Sequence, residues 1–203
     1  KWGWAVQGAL SIKNIPTGAG DNINLQAVYT DGATRYNFQS LFPQSFFMFS
    51  GSDTAYQSTG FAGVSDGVFG TGTGIDTVKT WGLRGGYTHN WSPNWASAVY
   101  GGYAQLKYGD TGKALICTNF AAIALAGATC NPDFNFAVVG VNTVWTPVKN
   151  LAFTADLSWS RLDQKYSGSI ASPGIATAAK PAARYELKDQ NSLSMLLRAQ
   201  RNF

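Results

Sequence analysis

Few side chains in this sequence could do chemistry, and their spacing narrows what that chemistry is. Among the 203 residues there is one histidine, His89, and one glutamate, Glu186. Neither a Ser–His–Asp set nor an HExxH-type metal pair can be assembled around a lone histidine. No catalytic residue, metal site or cofactor is therefore expected, and His89, beside Trp91, reads as an interfacial side chain of a wall strand. GTGTG at Gly70–Gly74 lacks the strand-to-helix setting of a dinucleotide loop and reads as a flexible connection. Cys117 and Cys130 flank TNFAAIALAGAT in one segment. With no histidine or further cysteine nearby, and without CxxC spacing, they are expected to form a structural disulfide. The remaining candidates are charges. Arg84, Asp156 and Arg198 fall on the polar phase of alternating segments, and Lys13 does so at a segment end. Such charges, projecting into a water-filled passage, set ion preference; local pairing that only supports a wall is the alternative.

The segments that must position these charges share one pattern. Trp2, Trp4, Val6, Gly8, Leu10 and Ile12 alternate with Gly3, Ala5, Gln7, Ala9, Ser11 and Lys13. Period two recurs in NINLQAVYT, TWGLRGGYTHNW, NFAVVGVNTVW, LAFTADLSW and SLSMLLRAQRNF. In NWASAVYGGYAQLKYG two phases compete: Ala96, Ala98, Tyr100, Ala104 and Leu106 against Trp95, Val99 and Tyr103. A bulge would reconcile them. Sustained period two indicates antiparallel strands rather than helices, seven of them in a single all-β domain, residues 1–203. The short connections NIPTGAGD, SPN and TPVKN carry turn chemistry. They alternate with long ones from about Asp31 to Asp76, Gly109 to Asp133 and Asp163 to Asp189. Tight turns at one end and large loops at the other fit an up-and-down barrel better than a Greek-key sandwich.

Composition decides which way the barrel faces. Charged residues are 13% of the chain and aromatics 14%, a charge share about half that of an ordinary soluble domain. The longest run free of polar residues, Phe120 to Ala128, is far short of the roughly 20 needed for a membrane helix. No secretory leader opens the chain. The net charge of +4 is scattered, which disfavours a nucleic-acid partner. Polar phases hold Ser, Thr, Asn, Gln and Gly. Apolar phases are bounded by rings: Trp91, Trp95, Trp145 and Phe203 toward the short turns, and Tyr29, Trp81, Tyr108, Phe136 and Trp159 toward the long loops. Two aromatic levels flanking an aliphatic band suit two membrane–water interfaces, as in a transmembrane β-barrel with an apolar exterior and polar lumen. Arg201 and Lys79 are placed to snorkel at opposite rims. Seven strands ending at the turn side leave an odd count, so the chain is expected to be the C-terminal part of a longer, even-stranded barrel. A barrel serving as platform for adhesive or recognition loops, and a soluble ligand-carrying barrel, are the competing readings.

WAVQGALSIKNIPTGAGDNINLQAVYTDGATRYNF, GFAGVSDGVFGTGTGIDTVKTWGLRGGYTHNWSPNWASAVYGGY and the ending RAQRNF resemble the porin family of alphaproteobacterial outer membranes. The resemblance spans the whole chain. It implies a trimeric general-diffusion porin of about 16 strands, passing small hydrophilic solutes in the outer membrane of a Gram-negative bacterium, among lipid and lipopolysaccharide. The seven strands would be the last seven. The inward loop by which such porins narrow their pore, which comes from the N-terminal half, would then be missing. Phe203 resembles the terminal aromatic read by the barrel-assembly machinery.

Overall fold

The computed structural model describes residues 1–39, 41–50, 58–172 and 182–202; Phe203, and with it the expected terminal anchor, lies outside them. In chain order the elements are β1 (Trp4–Lys13), β2 (Asn22–Asp31), β3 (Phe46–Ser50), β4 (Ser58–Ala62), β5 (Gly67–Val68), β6 (Asp76–Thr77), β7 (Lys79–Ser92) and β8 (Trp95–Lys107). Then come α1 (Asp110–Phe120), β9 (Phe134–Val148), β10 (Leu151–Gln164), β11 (Ser169–Ser172), β12 (Ala183–Leu187) and β13 (Gln190–Arg201). The seven alternating segments form one sheet, ordered β1-β2-β7-β8-β9-β10-β13. Every neighbouring pair in it is antiparallel, which is the up-and-down, all-β arrangement expected. The two edges of the sheet are β1 and β13.

Turn chemistry sets the strand ends. Asn14, at φ 54°, and Gly20, at φ 79°, supply the left-handed residues between β1 and β2, positions where Asn and Gly are tolerated best. The β9–β10 connection is tighter than expected. Thr146, Pro147 and Val148 belong to β9, and only Lys149 and Asn150 turn the chain, with Asn150 at φ 67°.

Asp21, fully buried at the β1–β2 turn, ties this end together. Its carboxylate accepts from Thr17 Oγ1 at 2.7 Å, Tyr87 Oη at 3.0 Å and the Asn90 amide at 2.9 Å. His89 Nδ1 lies 2.6 Å from it, while the His89 ring stands edge-on to Trp91 at 4.3 Å. His89 is thus a clamp on the turn as well as a wall side chain. Burial by itself would raise the Asp21 pKa. The hydrogen bonds from Thr17, Asn90, His89 and Tyr87 outweigh it and hold the carboxyl well below the usual carboxylate range. The folded-state pKa is depressed, so this stabilisation is complete above the unfolded value of about 3.9 and is lost as pH falls through the folded value. Asp21→Asn is expected to lower thermal stability at neutral pH and to flatten its acid dependence, read from melting curves across pH.

The long loops are not irregular. β11, β12, β4 and β3 make a second sheet, with β12 and β4 parallel, and β5 pairs β6. The second sheet is a middle layer. On one side Phe46 packs edge-on to Phe134 and Phe136 of the main sheet, at 6.5 and 5.2 Å. On the other, Phe49 meets Tyr185 and Phe61 meets Tyr166 beneath α1. Cys117 and Cys130 are disulfide-bonded, fastening α1 to the segment entering β9.

Two expectations are corrected here. Tyr108 and Phe136 do not join an outer ring: both are buried inside, where Tyr108 Oη donates to the Gly63 carbonyl at 2.8 Å. β8 contains no internal bulge. It runs in unbroken register with β9, and the one irregularity against β7 lies at Asn90/Ser92, by the turn. Its two phases compete because both faces of its loop-end half are apolar: Tyr103 points outward, while Ala104 and Leu106 are buried within. One connection also folds inward. Phe38 and Phe42, from the β2–β7 connection, are fully buried against Ala104, Phe134 and Phe136.

Candidate functional site

The two faces of the main sheet differ in kind. Outward residues are large, apolar and exposed: Val6 63%, Leu10 55%, Val139 54%, Leu157 44%, Leu193 70% and Met195 68%. An apolar face this extensive is not stable against water. Three of its indoles donate to neighbouring strands. Trp91 Nε1 donates to Ser97 Oγ at 3.1 Å and Trp95 Nε1 to Thr143 Oγ1 at 2.7 Å. Trp81 Nε1 donates to Gln105 Oε1 at 3.1 Å. Trp145 stacks on Phe153, Trp4 lies against Tyr29, and Trp159 faces out between Val139 and Leu193. Among the described residues no helix is long and apolar enough to cross a membrane; any crossing is by strands.

The inner face is zoned along the strand axis. Toward the loops, Ala104, Leu106, Phe134, Phe136 and Leu162 are buried under the inward-folded segment. Toward the turns, Asn22, Asn24, Thr88, Ala98, Asn142 and Thr154 leave a small-residue, largely polar surface. Arg84 sits at the border. It lies opposite Gln26 on β2 and Gly102 on β8. Its Nε donates to Gln26 Oε1 and its Nη2 to the Tyr36 carbonyl at 3.1 Å, so the guanidinium holds the inward segment as well as carrying charge.

That segment is docked by other contacts too. Asn37 Nδ2 donates to Thr80 Oγ1 at 2.7 Å and reaches the Val28 carbonyl at 3.5 Å. Asp66 caps Thr34 through its amide and hydroxyl, at 2.7 and 2.8 Å. Gly102 leaves room for Phe42; a Cβ there would come within 2.7 Å of the Phe42 ring.

Asp156 faces inward on β10, and its partner is a phenol, not a cation: Tyr100 Oη donates to both carboxylate oxygens, at 2.8 and 3.0 Å. Tyr100 reaches across β9 because residue 140 there is glycine, directly opposite it in register; a Cβ at Gly140 would occupy the Tyr100 ring. Tyr100 and Gly140 were missed as wall residues, although alternation places both on the Asp156 face. Gly140→Val is expected to displace the ring, free Asp156 and cost about 1–3 kcal/mol, measured by denaturation. Arg198, opposite Thr154, and Lys13, opposite Asn22, are exposed on the same face, and neither makes an ion pair among the described residues. The four charges therefore share one face without forming a single cluster. Among the described residues no group of three His, Cys, Asp or Glu side chains could hold a metal ion.

A sheet greasy on one face and polar on the other, with tight turns at one end and folded loops at the other, matches a family model for the porin subfamily over residues 1–196. The chain belongs to the porin family. No match is found among curated proteins or among solved structures. Porins are a family of transport channels rather than enzymes, and outward apolar strands around a polar interior are the physical requirement of such a channel in lipid. Within this porin fold the charges, the Tyr100–Asp156 pair and the inward segment all lie on the face that a lumen would use.

Proposed function

We propose that the seven strands form part of the wall of a water-filled outer-membrane channel for passive diffusion of small hydrophilic solutes and ions. The observation that carries this reading is the opposite character of the sheet's two faces, since one buried in lipid and one in water is the only environment that suits both. Arg84, Arg198 and Lys13 line the lumen as cations and Asp156 as the facing anion, while the inward segment narrows the passage at its loop end. Trp91, Trp95 and Trp145 anchor the wall at the turn-side interface; Tyr29, Trp81 and Trp159 do so toward the loops. The free edges of β1 and β13 cannot stay unpaired in hydrocarbon. They pair with further strands of a longer barrel or with neighbouring chains, and the completed barrels associate as homotrimers after insertion by the assembly machinery. Lipopolysaccharide surrounds the loop end. Liposomes containing the assembled protein should swell in sugars at rates that fall with solute size; equal exclusion of all sugars would contradict diffusion through a lumen.

A further inference from the structure

The layer between the second sheet and α1 is not filled. A cavity of about 370 Å³ opens there, walled by Phe49, Phe61, Phe120, Tyr166, Ile170 and Tyr185. Interiors normally leave few voids larger than a water molecule, so an open, ring-lined recess of this size is a candidate binding site. Water suits it poorly, because an ordered water needs two to four polar partners. The described wall is mostly apolar, its polar groups being those of Thr59, Asn119, Ser172, Tyr166 and Tyr185. Thr59 Oγ1 is already committed to the Met48 carbonyl at 3.2 Å, and Asn119 stands at the exposed end of the helix. Among the described residues no charged side chain lines the space. Burial, with smaller contributions from Tyr108 and Asp133, pushes the Tyr166 hydroxyl well above the usual phenol range, so this phenol stays neutral.

The rings already hold the geometry of an aromatic site. Phe61 and Tyr166 are 4.4 Å apart and tilted, Phe120 and Tyr166 5.1 Å, and Phe49 meets Tyr185 edge-on at 5.8 Å. Faces and edges both border the cavity, and a planar guest would extend the offset and edge-to-face pattern that such rings prefer. The walls are kept apart by covalent and backbone ties rather than by the guest. The Cys117–Cys130 disulfide fixes α1, and the Ala171 amide donates to the Ile123 carbonyl at 2.9 Å across the far side. A held-open, neutral, ring-lined space is a preformed apolar binding site.

We propose that this cavity binds a small uncharged aromatic molecule, held between the second sheet and α1 on the loop side of the wall. The site is separate from the charged inner face, and its occupancy does not depend on solute passage.

The test is a fluorescence titration of the full chain, in detergent, with 1-naphthol as the probe. Two variants fill the space from exposed positions on its rim, Ile123→Trp and Ala171→Phe, so that a folding failure in one leaves the other to decide. Saturable binding to the native chain, weakened at least about tenfold in a filled variant that melts normally, is the expected result. Uptake that fails to saturate, or that is the same in native and filled chains, reflects partition into the micelle and overturns the site.

Discussion

Phe42→Ala, introduced into the assembled channel, will raise single-channel conductance and make the open current noisier. Phe42 is fully buried, lies edge-on to Phe136 at 6.3 Å and packs over Gly102. Truncating a buried phenylalanine costs about 3–5 kcal/mol. That loss falls on a segment whose other described attachments to the inner face include Phe38, Leu41 and the polar contacts of Asn37 and Arg84. The main sheet keeps its backbone ladders, so the response is local undocking rather than global unfolding. A segment released from the wall leaves a wider and less regular passage. Phe38→Ala should do the same, since Phe38 bridges Phe42 and Phe134. Planar-bilayer recordings check both. Unchanged conductance and unchanged noise would place the inward segment outside the permeation path.

Arg84→Glu is expected to shift the reversal potential of the same channel toward cation preference, more than Arg198→Glu does. Reversing Arg84 changes the lumen by two charges, in a wall where charge sets ion preference. It also replaces a donor by an acceptor facing the Tyr36 carbonyl, so the inward segment is perturbed together with the charge. Arg198 carries its charge on the exposed inner face of β13 and makes no ion pair among the described residues, so its reversal alters the field alone. Arg84→Lys should keep the selectivity while losing the fork that reaches Gln26 and Tyr36 together. Reversal potentials under a potassium chloride gradient separate these outcomes.

The strands were readable because lipid on one side and water on the other force an alternation that no helix shares. All seven segments singled out on that ground pair in the order written, and the side facing out follows from their Trp, Leu and Val phases. What escaped is what does not alternate between lipid and water. β3, within QSFFMFSG, turns Phe46 toward the main sheet while Phe47 stays exposed, and it reads as an apolar run too short to classify. The helix DTGKALICTNF has a weak apolar stripe because its neighbours are a disulfide and loop strands rather than a broad core. Tyr108 and Phe136 looked like membrane-facing rings for a related reason. An aromatic residue near a strand end has the same sequence signature whether it meets lipid or an inward-folded loop. Only the register, which puts Phe136 on the phase of Gly82 and Ala104 rather than that of Trp81 and Tyr103, separates the two. The charged wall residues were visible individually from phase. The Tyr100–Asp156 bond needed the absence of a side chain at Gly140, two strands joined across a third, which single-strand periodicity does not express.

The measurement that bears most directly on the channel reading is the current through planar lipid bilayers to which the purified, assembled protein is added. The account predicts stepwise increments that are ohmic in voltage, persist for seconds or longer, and change size on Phe42→Ala. Protein that inserts into the bilayer and yet carries no stepwise current would contradict it.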